Sequence, residues 1–199
     1  IEFKSSIGNT DFDVIALFDN HVVIIEIKHL VTPYDPKRYY EDRQEIKKAI
    51  KQLKLRKQVL LRDWALIRDI TNGFLPPEPY PEERIIQLVC TNIDSFTSLE
   101  IDGIRIVDES VLIRFFSDNG QYVKIWSGSK IYKKEKIWEN SQPTIDDFKR
   151  YIASPTAVKW YREVVKRKNI TIPRYGEGEY LGTVNYILDE DIVKFDRQI

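Results

Sequence analysis

Three side chains near the start of the chain could do chemistry together: Asp13, Glu26 and Lys28. They lie in the run from Asp11 to Lys28, where Asp19-Asn20 separates two arms rich in β-branched and aromatic residues. That composition predicts a hairpin with a tight turn. With Asp19 and Asn20 as the loop, Phe18 faces His21, and counting outward sets Asp13 opposite Glu26. Opposite residues of an antiparallel pair project from one face, so the two carboxylates stand side by side. Lys28 falls on the same face, whereas Val23, Ile25 and Ile27 point the other way and are expected to pack. Facing carboxylates repel unless a cation or a proton sits between them. A plainer reading stays open at this point: Glu26 and Lys28 as an ordinary solvent-facing pair, with Asp13 merely starting a strand. Against it, Val22 and Ile24 share the face of Glu26, and carboxylates beside apolar neighbours call for a partner.

The elements that must hold these residues follow in order. Ile1 to Ser6 reads as a short strand, with Gly8-Asn9-Thr10 turning into the hairpin. After Lys28, the segment Val31-Thr-Pro-Tyr-Asp-Pro breaks regular structure beside the proposed site, and His29 points away from the Lys28 face. From about Pro36 to Ile70 the spacing predicts helix, with Ile46, Ile50, Leu53, Leu60, Leu61, Trp64 and Ile67 as the apolar stripe. Its polar side carries Lys47, Lys48, Lys51, Lys54, Arg56, Lys57 and Arg62, either a solvated face or a phosphate-binding one. Asn72 to Glu83 is a proline-rich exposed loop. Arg84 to Asn92 is a strand apolar on both faces, suited to the middle of a sheet. Ile101 to Val107 predicts another strand, and Asp108 to Phe116 an amphipathic helix capped near Asp108.

Asp, one hairpin, then Glu-Ile-Lys is the pattern of the PD-(D/E)XK, or restriction-endonuclease-like, nuclease superfamily, which the chain resembles from about Gly8 to Asn92. The proline before the aspartate is missing; Phe12 stands there. The resemblance implies an α/β fold, a restriction-endonuclease-like α/β/α core whose mixed sheet is flanked by helices. It implies Asp13, Glu26 and the backbone carbonyl of Ile27 as ligands of Mg²⁺, with Mn²⁺ able to substitute, and Lys28 as the residue that positions or activates the attacking water. Ala49-Ile-Lys-Gln52-Leu53 is similar to the helix on which Holliday-junction-resolvase-like and Mrr-like families place a glutamine near the metal. Gln52 is therefore either a site residue or a surface amide. Hard oxygen donors of this kind suit magnesium or manganese and disfavour zinc. The implied activity is a metal-dependent endonuclease hydrolysing phosphodiester bonds of DNA. The alternative is a nuclease-fold module that binds nucleic acid or a partner domain without cutting.

Beyond the resemblance, Tyr122 to Trp126 predicts a strand, and Lys130, Lys133, Lys134 and Lys136 form a basic segment interleaved with Tyr132 and Trp138. Thr144-Ile-Asp-Asp147 predicts a helix start of capping-box type, followed by a helix-loop-helix to about Lys168 that breaks at Ser154-Pro155. Ile170 to Ile172 and Tyr180 to Leu188 predict strands around a turn at Gly176-Glu-Gly178. The expected organisation is a nuclease-like core over 1–120 and a C-terminal α+β extension over 121–199, to which no function is assigned.

The 199 residues include 31 basic and 31 acidic side chains, so net charge gives no argument for nucleic acid. The single cysteine excludes a disulfide framework and a cysteine zinc cluster, and Cys90 in its apolar run is expected to be a buried structural thiol. No apolar run reaches a membrane span and no signal peptide is visible, so a cytoplasmic setting is expected. The chain opens on Ile1 and has no methionine, as an excised piece of a longer protein would. DNA, a second copy of the chain and further domains of a longer chain are the expected partners.

Overall fold

A computed structural model describes residues 2–5, 8–117, 120–124, 131–159, 165–173 and 180–188. The first two strands, β1 (Glu2–Ser5) and β2 (Gly8–Asp11), form an antiparallel hairpin of their own, so Gly8 to Thr10 is strand where a turn is expected. The next hairpin is the predicted one. β3 (Val14–Phe18) pairs with β4 (His21–Lys28) in a register that sets Phe18 against His21 and Val14 against Ile25. Asp19 and Asn20 both take positive φ, 46° and 57°, the type I′ geometry that matches strand twist.

The chain then runs through α1 (Pro36–Arg62) and α2 (Trp64–Ile70) before returning as β5 (Ile85–Thr91), parallel to β4. The expected single helix is two. It breaks at Asp63, and the Trp64 indole N–H then donates to the Pro76 carbonyl at 2.8 Å. The proline-rich loop is thereby tied down, and its own Leu75 is buried. The expected strand over 101–107 is also two, β6 (Glu100–Ile101) and β7 (Ile104–Asp108), folded back on each other at Asp102-Gly103. Both turn residues have positive φ, a conformation that Asp-Gly favours. The sheet order is β3-β4-β5-β7-β6, with a parallel centre and antiparallel edges.

Side-chain alternation gives the sheet two covered faces. Val22, Ile24, Ile85, Val89, Ile104 and Ile106 pack with Ile46, Leu53 and Leu60 of α1. Val23, Leu88, Cys90 and Val107 pack on the other side with α3 (Glu109–Ser117) and α4 (Ile145–Ala153). An aromatic cluster fills that second layer, with the Phe115 ring centroid 5.0 Å from Phe148 and 5.2 Å from Trp138. The result is an α/β unit with a mixed five-stranded sheet between helices.

This unit spans 1–119 and 136–153, so α4 from the C-terminal part completes the second layer. A second unit comprises 120–135 and 154–199. It contains β8 (Gly120–Lys124), paired with β9 (Ile131–Lys136), and a separate hairpin of β10 (Val165–Pro173) and β11 (Tyr180–Leu188). The expected helix to Lys168 gives way to strand from Val165, whose β-branched and alternating sequence pairs along all of β11. The turn expected at Gly176-Glu-Gly178 and the side chains of Lys130, Tyr132, Lys133 and Lys134 lie outside the described residues. Trp138 is buried against Phe115 and is not an exposed stacking platform.

Candidate active site

β4 is the strand that carries the site, because its α1-facing residues change from Val22 and Ile24 to Glu26 and Lys28 as it reaches its end. Val22 and Ile24 are fully buried, and Glu26 remains buried at 2% exposure. The paired register ends at Val14–Ile25, and Asp13 is the next residue out, just beyond the strand. Asp13 Oδ2 accepts a hydrogen bond from the Ile27 backbone N–H at 2.8 Å, which fixes the carboxylate against the strand end. The N–H and C=O of one residue in an extended strand point to the same edge. The Ile27 carbonyl therefore faces the side on which Asp13 sits. The Ile27 side chain is 53% exposed instead of packed, because β4 has by then run past its apolar cover.

Lys28 Nζ lies 2.6 Å from Glu26 Oε1, with the lysine side chain 23% exposed. The two are thus not the freely solvated pair of the plainer reading. Behind the strand end, Asn92 clamps the following segment. Its Oδ1 accepts from the Leu30 N–H at 2.6 Å, and its Nδ2 donates to the Leu30 carbonyl at 3.0 Å. His29 is exposed.

The residue that sequence reasoning misplaced is Arg56. Expected on the polar side of the long helix, it is 4% exposed and turned toward the sheet. Its guanidinium ion-pairs with Glu26, lies 2.7 Å from Asp11 Oδ1 and comes within 4.0 Å of Asp13 Oδ1. The signal was in the spacing: Arg56 follows Leu53 by three residues and precedes Leu60 by four, which places it on the apolar stripe. A buried guanidinium requires carboxylate partners, and the site supplies them. The Arg56 hydrogen bond holds the Asp11 carboxyl below its usual value.

Gln52 lies one turn before Arg56 on the same flank of α1 and is exposed. Glu45, further along that flank, is held below its usual value first by its Lys48 hydrogen bond, with Lys28 and Arg38 adding attraction. Asp42, fully buried on the same helix, pairs with Arg38 at 2.9 Å. Cys90 is buried, and burial pushes its thiol up to about 11, which makes it structural.

Among the described residues, no three His, Cys, Asp or Glu side chains come together in a group that could hold a metal by themselves. Asp13 and Glu26 both reach the Arg56 guanidinium, and Mg²⁺ is commonly held by one or two carboxylates, with water and substrate phosphate completing the shell. The donor chemistry of Asp13, Glu26 and the Ile27 carbonyl fits such an ion.

No protein-family model, curated protein or solved structure matches the chain. No helix among the described residues is long and apolar enough to cross a membrane.

Proposed function

We propose that the chain is a metal-dependent endonuclease of the PD-(D/E)XK type, hydrolysing phosphodiester bonds in DNA. The observation that carries this reading is the buried Glu26, flanked by Asp13 and Lys28 at the end of an otherwise apolar strand. The mixed sheet between helices, with a hairpin leading through a helix to a parallel strand, is compatible with a restriction-endonuclease-like core. Asp13, Glu26 and the Ile27 carbonyl would hold Mg²⁺ or Mn²⁺. When bound, the ion lowers the pKa of a water and offsets charge on the phosphate. Lys28, held by Glu26, orients the attacking water and stabilises the extra negative charge on the phosphoryl oxygens. Gln52, exposed one turn from Arg56, would donate its amide to substrate. The exposed lysines Lys47, Lys48 and Lys51 offer phosphate contacts along α1.

The test is nicking of supercoiled plasmid in Mg²⁺, Mn²⁺ or EDTA by the wild-type chain, Asp13→Ala and Lys28→Ala. Metal-dependent nicking by the wild type, lost in both variants, is the expected result. An Asp13→Ala protein that still cleaves in magnesium sinks the assignment.

One observation favours a second reading. Arg56 already gives Glu26 a cation, as a module that binds nucleic acid without cutting would require. Such a module binds DNA equally well with Mg²⁺ and with EDTA.

A further inference from the structure

The buried guanidinium of Arg56 has two different kinds of partner. Glu26 is buried at 2% exposure and Asp13 is partly covered, whereas the Asp11 side chain is 54% exposed. One arginine thus spans the inner carboxylates, which the nuclease reading assigns to the metal, and an outer carboxylate that the metal does not need. A divalent ion and a guanidinium compete for the same oxygens, because both draw their binding energy from the charge on Asp13 and Glu26.

Resting on that reading, we propose that Arg56 is a displaceable counter-ion. It neutralises the Asp13–Glu26 pair in the metal-free protein and is pushed onto Asp11 when Mg²⁺ enters. The hydrogen bond from Arg56 Nη2 to Asp11 Oδ1 at 2.7 Å is already formed, so the arginine keeps one anchor while it gives up the other. The arrangement answers two demands at once. Glu26 is never left as an unpaired buried charge, and the site opens only to an ion whose attraction exceeds that of the arginine. Arg56 is therefore a positioning residue, acting on Glu26 and not on substrate.

The experiment is calorimetric titration of Mg²⁺ into the full chain, its Arg56→Gln variant and its Asp13→Ala variant. A second measurement follows the Arg56 Nε–Hε NMR resonance of the wild type during the same titration. Removing the competing charge should tighten Mg²⁺ binding by about tenfold or more, and the wild-type resonance should shift as the site fills. Equal or weaker binding by Arg56→Gln overturns the proposal. If that variant does not fold, the wild-type resonance decides, and one that stays fixed at saturating Mg²⁺ overturns it. Binding that needs Asp13 but is indifferent to Arg56→Gln removes the counter-ion role and leaves the metal site standing. Absence of Mg²⁺ binding in the wild type and in Arg56→Gln removes both.

Discussion

At the level of single residues, the site is a problem of charge in a covered place. Glu26 is buried, and it is tolerated there because Lys28 and Arg56 reach its two oxygens from opposite sides. The two cations are not equivalent. Lys28 is 23% exposed, so water shares in its solvation, and Glu26 keeps the Arg56 guanidinium if the lysine is lost. Arg56 is enclosed, and its loss strands Glu26. Lys28→Ala should therefore cost no more than about 1 kcal/mol of stability while abolishing cleavage. Arg56→Ala in metal-free buffer should cost about 3–5 kcal/mol. Urea denaturation of both variants checks the contrast. A sharp loss of stability in Lys28→Ala would show instead that the lysine is a structural bridge.

Among the elements, α4 (Ile145–Ala153) owes its position to a cap and to a long-range contact. Thr144 and Asp147 bond reciprocally: the Thr144 hydroxyl donates to Asp147 Oδ2 at 2.8 Å, and the Asp147 N–H donates back to Thr144 Oγ1 at 3.2 Å. Asp19, in the hairpin turn, accepts from the Ile145 N–H at 2.7 Å, so the turn beside β3 also ties the helix start to the sheet. Burial pushes the Asp147 carboxyl up, but the bonds from Thr144 and the Arg150 pair together outweigh it and leave it below its usual value of 3.8. A lowered folded-state value means the carboxylate adds stability above the unfolded value and loses it as pH falls through the lowered one. Stability should therefore fall as acid is added below about pH 4, and less so in Asp147→Asn. Thr144→Ala should cost about 1 kcal/mol at neutral pH. Urea midpoints measured from about pH 2.5 to about pH 6 test both.

Taken as a whole molecule, the first unit places its charged cluster at the end of one central strand and covers the rest of the sheet on both faces. Metal binding should then register as global stability, because an ion that binds only the folded chain adds free energy by mass action. At a concentration about a hundred times its Kd, Mg²⁺ should add about 2.7 kcal/mol. Thermal unfolding with Mg²⁺ and with EDTA measures this directly. The wild type should gain stability with Mg²⁺, and Asp13→Ala should not. An equal gain in both would place the ion elsewhere.

The local pattern of the sequence was enough to determine the hairpin and its register. Alternation along a strand is strict, and Asp-Asn fixes the loop, so counting residues suffices. The Thr144–Asp147 cap was legible for the same reason, since its partners are three residues apart. The split of one expected strand at Asp102-Gly103 was missed, although the dipeptide that favours a turn is there to read. What only the tertiary structure decided is long-range: Arg56 meeting Asp11 and Glu26, Asn92 holding Leu30, Asp19 capping α4, and Trp138 entering the aromatic core. A lysine or arginine on a helix reads as solvent-exposed until its burial is known. Whether it is buried depends on which face the sheet covers, and that is set by packing between segments distant in sequence.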